Sequence, residues 1–199
     1  MARLRPRGFA VVLGAFFAAL AGAVVLGGVL PADAVVRSGL LAWASPAVLD
    51  VMRIVNYGGD WRVLLPATIL LVLVFEHARP RWWIWIVLMI AAPIAEGLLK
   101  LAIGRPRPES AALGFPSGHA TAAAAFAGAV LYLSGALAPT PRRLVRVVAI
   151  VGVILVGFAR VMLRAHWPSD VLGGFTLGLG LAAAAALLCP ADAQVSPPR

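Results

Sequence analysis

The sequence predicts an all-α protein, a polytopic membrane helix bundle with about six transmembrane helices. The first observation is composition: 62% of the 199 residues are hydrophobic, 13% are charged, and the mean hydropathy is +0.95. A soluble domain of this size would be about 25% charged, so one buried core cannot hide this apolar surface and the surroundings must be lipid. The second observation is that the apolar residues form runs close to the ~20 residues that a spanning helix needs. The length fits a single domain over 1–199.

Short polar segments separate the predicted spans, which are 8–30, 61–76, 82–103, 118–137, 144–163 and 168–189. The segment 31–60 is too polar to span, although its apolar stretch Val35–Trp43 is compatible with an interfacial helix. Residues 190–199 are expected to form a disordered tail. In the last run, Gly174 and Gly178 lie one helical turn apart and are predicted to pack helices together.

The first apolar run has two interpretations. Three arginines precede it, and the small residues around Asp33 resemble a cleavage site, which together suggest a signal peptide. The run 8–30 is longer than the roughly 7–15 apolar residues of a signal peptide, so we favour a retained helix.

The excess of basic residues indicates topology rather than nucleic-acid binding. The chain has 17 Lys and Arg against 8 Asp and Glu, and the arginines lie at the ends of apolar runs rather than along one face. With the N-terminus in the cytoplasm, the cytoplasmic side receives Arg3, Arg5, Arg7, Arg79, Arg81, Arg142, Arg143, Arg146 and Arg199. We therefore expect an integral protein of a bacterial plasma membrane, with a cytoplasmic N-terminus and an extracytoplasmic active site.

Three motifs at the edges of apolar runs carry the candidate chemistry. They are KLAIGRPRP at 100–108, FPSGH at 115–119 and RVMLRAHWPSD at 160–170, and they form the core of a motif region at about 97–175. Ionisable groups at membrane depth cost about 2.5–3.5 kcal/mol each on insertion scales, so they are functional candidates. The predicted topology brings all three motifs to the outer face, because the first ends the third span, the second begins the fourth, and the third joins the fifth to the sixth.

The cations and the glycine-containing turn suit a phosphate. Lys100 provides a point charge, and Arg107 can donate two parallel hydrogen bonds to phosphate oxygens, as can Arg160. Ser117 is a candidate N-cap, and Gly118 allows close approach to the free N–H groups at the helix start, which favour an anion. These residues are the predicted substrate-binding set.

The two motif histidines differ in their neighbours, which predicts different catalytic roles. Asp170 follows His166 by four residues and can fix its tautomer, leaving the second ring nitrogen as a nucleophile. His119 lies near cations without an evident carboxylate and is the predicted general acid for the leaving group. The carboxylates are too few and scattered for a two-metal site, so no metal and no cofactor are expected. The single cysteine, Cys189, excludes an intrachain disulfide and a Cys-based metal cluster.

Together these motifs resemble the type 2 phosphatidic acid phosphatase superfamily, which includes lipid phosphate phosphatases, bacterial acid phosphatases and vanadium haloperoxidases. Its signature is K-x6-R-P, P-S-G-H and S-R-x5-H-x3-D. The matching residues are Lys100, Arg107, Pro108, Pro116, Ser117, Gly118, His119, Arg160, His166 and Asp170. The resemblance implies a metal-independent phosphohistidine mechanism and, for six-helix members, an outward-facing site for lipid phosphates. Ala159 stands where the family usually has Ser, which predicts a weaker phosphate contact or an altered rate.

The sequence is therefore interpreted as a membrane phosphatase for a lipid phosphate or diphosphate, such as a polyprenyl diphosphate, phosphatidic acid or phosphatidylglycerophosphate. A lipid-linked phosphotransferase and a non-catalytic lipid-phosphate binder or transporter are the alternatives. The expected partners are the substrate and membrane lipids, not nucleic acid. Arg105 and Arg164 are interpreted as surface anchors, with substrate contact as the alternative. Glu96 is predicted to pair with Lys100 one helical turn away.

Overall fold

The computed structural model describes residues 6–189, and within this range the chain is almost entirely helical, as predicted. The predicted tail at 190–199 lies outside the described residues. The helices are α1 (Pro6–Gly27), α2 (Pro31–Leu41), α3 (Pro46–Asn56), α4 (Trp61–Val74), α5 (Trp82–Ile103), α6 (Gly118–Leu133), α7 (Pro139–Met162) and α8 (Pro168–Leu187). Short 3₁₀ segments cover Tyr57–Gly59, Glu76–Arg81 and Ser134–Ala136, and two short strands are β1 (Pro106–Arg107) and β2 (Ser110–Leu113).

Within the described range, five helical segments are long and apolar enough to cross a membrane. They are Arg7–Gly27, Glu76–Ile103, Gly118–Ala136, Pro139–Met162 and Pro168–Leu187, and they correspond to five of the six predicted spans. The remaining predicted span coincides with α4, which has 14 residues. At 1.5 Å per residue α4 covers about 21 Å, less than the ~30 Å hydrocarbon core.

The segment 31–60, in which only the stretch Val35–Trp43 was expected to form a helix, forms the two helices α2 and α3. The axes of the segments Pro31–Leu41 and Pro46–Gly59 are bent by 117° relative to each other, so by length and composition the pair is a broken span or a re-entrant loop. Both helices begin with a proline, whose fixed φ and missing N–H suit the first helical position. Asp60 then caps α4 by accepting a hydrogen bond from the Arg62 N–H at 2.9 Å.

The centre of the bundle is the contact between the alanine-rich α6 and α8. A Cβ atom at Gly178 would lie 2.2 Å from the Thr121 carbonyl oxygen, and one at Gly174 would lie 2.6 Å from the Ser117 carbonyl oxygen. The two backbones therefore touch, and the predicted helix-packing role of both glycines is confirmed. This approach places the N-terminal ends of α6 and α8 side by side, and these ends carry the second and third motifs.

The first motif reaches the same end of the bundle through a turn and a hairpin. Helix α5 ends at Ile103 and is capped by Gly104, whose φ of 69° lies in the left-handed region that glycine adopts freely. The strands β1 and β2 then pair antiparallel, a feature that the sequence analysis did not predict. The Gly114 N–H donates to the Arg105 carbonyl oxygen at 2.7 Å and closes this excursion just before α6. All three motifs consequently lie at one end of the bundle.

Candidate active site

His166 and Asp170 form the contact that their spacing predicts. His166 lies in the connection between α7 and α8, and Asp170 lies in the first turn of α8. The Nδ1 atom of His166 is 3.3 Å from Oδ2 of Asp170, and both side chains are almost completely buried. The same carboxylate oxygen accepts the Trp167 N–H at 3.0 Å. Because Asp170 is an acceptor, we assign the imidazole proton to Nδ1, which leaves the Nε2 lone pair free.

Burial lowers the pKa of His166 to about 4. The hydrogen bond to Asp170 and the charge of this carboxylate oppose this shift, whereas the charges of Arg160 and Arg107 reinforce it. The imidazole is therefore neutral at neutral pH, which is the form that a nitrogen nucleophile requires.

Two arginines, one from the first motif and one from the third, act on His166 through their positive charges. Arg160, in the last turn of α7, donates from Nη1 to Oδ1 of Asn56 at 2.7 Å. Its Nε is buried and has no hydrogen-bond partner within residues 6–189. Arg107, in β1, donates from Nε to the Leu113 carbonyl oxygen at 3.2 Å, which leaves its terminal amino groups to act elsewhere.

The PSGH turn presents a buried hydroxyl at the start of α6. Ser117 occupies the predicted N-cap position, but its hydroxyl makes no capping hydrogen bond. Its Oγ is buried and has no partner among the described residues. The Ser117 N–H donates to the Asp170 carbonyl oxygen at 2.9 Å, which fixes the turn against α8. The hydroxyl and the N–H groups of the first helical turn are thus available to an anion.

Lys100 and Glu96 form the predicted ion pair on α5. Both side chains are largely buried, and a Cβ atom at Gly118 would lie 3.0 Å from Oε1 of Glu96. The carboxylate therefore lies beside the start of α6. The charge of Lys100 acts on His119, which places the lysine in the same group of residues as the histidine.

The turn between α3 and α4 contributes residues that the sequence analysis missed. Asn56 binds Arg160, and Gly59 packs so closely on His119 that a Cβ atom at Gly59 would lie 2.7 Å from the His119 Cβ. The charge of Asp60 acts on His119, so the expectation that this histidine has no nearby carboxylate was wrong. The only available signal was the polar composition of 56–60 within an apolar chain.

Arg105 is not the surface anchor that was expected. It is only 5% exposed and donates from Nη1 to Oδ1 of Asp170 at 2.6 Å. Its Nη2 donates to Oδ2 of Asp33 at 2.5 Å. The expectation failed because the chain after α5 turns Arg105 into the protein interior. No local pattern in the sequence predicts this burial. Arg164 is more than half exposed and pairs with Glu109 at the surface, in accord with the anchor interpretation.

Within the described part of the chain, no group of three or more His, Cys, Asp or Glu side chains could hold a metal ion. The site instead combines an acceptor-bound histidine, a second histidine, three cations and a buried hydroxyl. This arrangement can bind a phosphoryl group and offer it a neutral nitrogen nucleophile.

Comparison with known proteins agrees with this chemistry. A family model described as the PAP2 superfamily matches residues 81–192. The chain belongs to the PAP2 superfamily. The match contains all three motifs, so the resemblance inferred from them is confirmed.

Several relatives of this chain are named as lipid phosphatases. The chain is 31% identical over 175 residues to phosphatidylglycerophosphatase B of Bacillus subtilis, covering 82% of this chain and 86% of that protein. It is 37% identical over 106 residues to lipid A 1-phosphatase of Rhizobium johnstonii, covering 45% of this chain and 40% of that protein. The crystal structure of a transmembrane PAP2-type phosphatidylglycerolphosphate phosphatase from Bacillus subtilis superposes with a TM-score of 0.80 at 28% identity, covering 94% of this chain and 96% of that one. The chain is thus an integral membrane member of the superfamily.

Proposed function

We propose that this PAP2 protein is a metal-independent phosphatase that hydrolyses a lipid phosphate or diphosphate through a phosphohistidine intermediate at the extracytoplasmic face of a bacterial plasma membrane. The observation that carries the proposal is the neutral His166, oriented by Asp170 and placed within reach of the charges of Arg160 and Arg107. Similarity to phosphatidylglycerophosphatase B makes phosphatidylglycerophosphate the first substrate to test, followed by phosphatidic acid and a polyprenyl diphosphate.

In the first step, Nε2 of His166 attacks phosphorus while the bond from phosphorus to the leaving oxygen breaks. The electron pair of that bond stays on the leaving oxygen, which takes a proton from His119. Lys100, Arg107 and Arg160 neutralise the negative charge on the equatorial oxygens, and the Ser117 hydroxyl and the first N–H groups of α6 donate hydrogen bonds to them.

In the second step, water attacks the phosphohistidine. The P–N bond breaks and its electron pair returns to Nε2 of His166. His119, now neutral, accepts a proton from the attacking water, so inorganic phosphate is released and both histidines regain their starting forms.

Asp60 supports the role of His119 as an acid. At His119, the charge of Asp60 opposes burial and the charges of Arg160 and Lys100, and so favours the protonated form that donates to the leaving group. Gly59 contributes by allowing the turn after α3 to reach the histidine backbone.

The decisive experiment measures inorganic phosphate released by the purified full chain in lipid nanodiscs from the three lipids, with and without EDTA. We expect turnover of at least one lipid, insensitivity to the chelator, and inhibition by vanadate, which adopts the five-coordinate geometry of the transition state. Turnover lost in EDTA and restored by Mg²⁺ would contradict the mechanism. Phosphate transfer to an added alcohol without release to water would instead favour the phosphotransferase.

The variants His166→Ala and His119→Ala separate the two histidine roles. With radiolabelled substrate, we expect no acid-labile phosphoenzyme in His166→Ala. We expect His119→Ala to slow monoester cleavage by about 10²–10⁴-fold and diphosphate cleavage less, because a phosphate leaving group needs less protonation. A label that persists in His166→Ala and disappears in His119→Ala would reverse the assignment.

The proposed orientation rests on the arginines at the opposite end of the bundle and is tested by labelling. In a Cys189→Ser background, the exposed positions Ser110 and Thr140 lie near the site and at the start of α7, respectively. Ser110→Cys should react with an impermeant thiol reagent added to intact cells, and Thr140→Cys only after permeabilisation. The reverse pattern would place the site in the cytoplasm.

A further inference from the structure

We propose that Arg105, held by Asp33 of α2, is a positioning residue that fixes Asp170 and, through it, the tautomer and orientation of His166. The inference rests on the proposed role of His166 as the nucleophile. It assigns a role to Arg105, which occupies an unspecified position of the first motif, and to Asp33, which lies on a helix far away in the sequence.

The contacts form a continuous chain from α2 to the histidine. Nη2 of Arg105 donates to Oδ2 of Asp33 at 2.5 Å, and Nη1 donates to Oδ1 of Asp170 at 2.6 Å. The other oxygen of Asp170, Oδ2, faces Nδ1 of His166 at 3.3 Å. The Arg105, Asp33 and Asp170 side chains are each at most 3% exposed, so water screens these charges little.

Ser169 makes the arrangement rigid. Its N–H donates to Oδ1 of Asp33 at 2.8 Å, and its hydroxyl donates to Oδ2 of Asp33 at 2.7 Å. Nη1 of Arg105 also donates to the Ser169 oxygen at 2.6 Å. The first turn of α8 is therefore tied to α2 at the residue that directly precedes Asp170, and the planar guanidinium sets the direction from which Oδ1 is held.

The position of Asp170 leaves little freedom for another rotamer. A Cβ atom at Gly114 would lie 2.9 Å from its Oδ2, so the backbone that follows the hairpin packs closely against this oxygen. The Trp167 N–H holds the same oxygen at 3.0 Å. With Oδ1 bound to Arg105 and Oδ2 bound by Trp167, the remaining lone pair of Oδ2 is directed at His166.

Arg105 also balances the charge of two buried carboxylates. It lies between Asp33 and Asp170 and donates to both, so neither negative charge is buried without a cation beside it.

Both terminal amino groups of Arg105 already bind protein atoms, so it does not have the free fork that Arg107 and Arg160 offer to phosphate. Its guanidinium also lies 5.7 Å from the Trp167 ring centre, with Arg37 at 5.4 Å from the same ring. These contacts assign Arg105 to orienting the catalytic pair and not to binding substrate. Arg37 is a matched control for Arg105, because it contacts the same tryptophan but is not bonded to Asp170.

The test compares Arg105→Met, the double variant Asp33→Asn/Arg105→Met, and Arg37→Met as the matched control. The double variant retains the single net negative charge of the Asp33, Arg105 and Asp170 group, so it separates positioning from the cost of an unbalanced buried charge. We expect kcat to fall by about 10–100-fold in both Arg105 variants with KM little changed, the size typical of outer partners that orient a ligating or catalytic side chain. Arg37→Met should keep kcat within about threefold.

A non-additivity measurement tests whether Arg105 acts through Asp170. In an Asp170→Asn background, adding Arg105→Met should lower kcat by less than about twofold, because the orientation that Arg105 maintains is already lost. A further loss equal to that in the wild-type background, or a rise of KM without loss of kcat, would overturn the positioning role and indicate direct contact with substrate.

A spectroscopic measurement tests the inference independently of turnover. The chain has three histidines, so ¹⁵N-histidine labelling with single substitutions assigns the His166 signals. Wild type should show the Nδ1–H tautomer of His166, and the double variant should show a mixture of tautomers. An unchanged tautomer in the double variant overturns the inference, even if no lipid is hydrolysed and the proposed function fails. If wild type releases phosphate and the tautomer does not change, only the inference fails.

Discussion

The replacement Asp170→Asn is the sharpest single perturbation of this site, because the structure determines how the new amide must orient. Oδ1 accepts from Nη1 of Arg105 at 2.6 Å, whereas Oδ2 accepts the Trp167 N–H at 3.0 Å and faces His166. An NH₂ group turned toward Arg105 would oppose a charged donor, whereas an NH₂ group turned toward His166 opposes only the neutral N–H of Trp167, which costs less. The amide oxygen therefore stays on the Arg105 side, and the NH₂ group faces Nδ1 of His166.

This orientation reverses the tautomer of His166. An NH₂ donor requires Nδ1 to accept, so the ring proton moves to Nε2, which then has no lone pair for phosphorus. In serine proteases the same replacement at the carboxylate that orients the catalytic histidine lowers kcat by about 10⁴-fold, which corresponds to about 5.5 kcal/mol of lost transition-state stabilisation. We expect a loss of about 10³–10⁴-fold here, because Asp170 has the same geometric role but lies at 3.3 Å from Nδ1.

The assay is the rate of phosphoenzyme formation in a single turnover, measured by quenching the enzyme with radiolabelled lipid on the millisecond to minute scale. Substrate affinity should change little, since Asp170 is buried behind His166 rather than among the phosphate ligands. Circular dichroism and the melting temperature control for folding, with Asp50→Asn as an exposed carboxylate replacement. A folded Asp170→Asn protein that forms the phosphoenzyme within tenfold of the wild-type rate would refute this account of the pair.

Three further predictions concern a residue that holds Arg160, the protonation of His166, and the packing of α6 against α8. Asn56→Ala removes the acceptor of Arg160 and, at about 1.5–3 kcal/mol for a hydrogen bond to a charged group, should lower kcat/KM by about 10–150-fold in the phosphate-release assay; an unchanged kcat/KM would mean that Arg160 is held without it. Because burial lowers the pKa of His166 from 6.5 to about 4, the unfolded state binds a proton more readily below pH 6.5. The melting temperature of wild type should therefore fall more steeply from about pH 7 to pH 4 than that of His166→Gln, and parallel slopes would contradict the pKa. Gly178→Ala forces a Cβ against the backbone of α6 and should cost about 1–3 kcal/mol of stability, whereas Gly180→Ala, whose Cβ has ordinary contacts, should melt like wild type.

The part of the site that follows from local spacing could be predicted from the sequence. Asp170 lies four residues after His166, and the helix that starts at Pro168 brings the two side chains together. Alternating spans carry the three motifs to one end of the bundle whatever the details of packing. The pair of Glu96 and Lys100 follows from the i,i+4 spacing of an α-helix in the same way.

The contacts that hold Arg105 and Arg160 in place could not be predicted, because their partners come from elements far apart in the chain. Asp33 meets Arg105 across 72 residues, and Asn56 meets Arg160 across 104. No pattern in the sequence links the two members of either pair, and only the fold brings them into contact. Position 159 is an example, because its effect on the site depends on a contact that the sequence does not reveal.

At position 159, the family usually has Ser and this chain has Ala, which on the sequence alone predicts the loss of a hydroxyl donor near the phosphate. In the structure Ala159 is completely buried, whereas the guanidinium of the adjacent Arg160 is held at Nη1 by Asn56. A guanidinium needs at least one fixed acceptor to present its remaining N–H groups to phosphate in a constant direction. Asn56 supplies that acceptor from the turn between α3 and α4, the same turn that brings Gly59 and Asp60 to His119. This turn therefore supports one residue of the second motif and one of the third. Its rigidity should matter to phosphate binding and to proton donation together, which no motif residue alone would indicate.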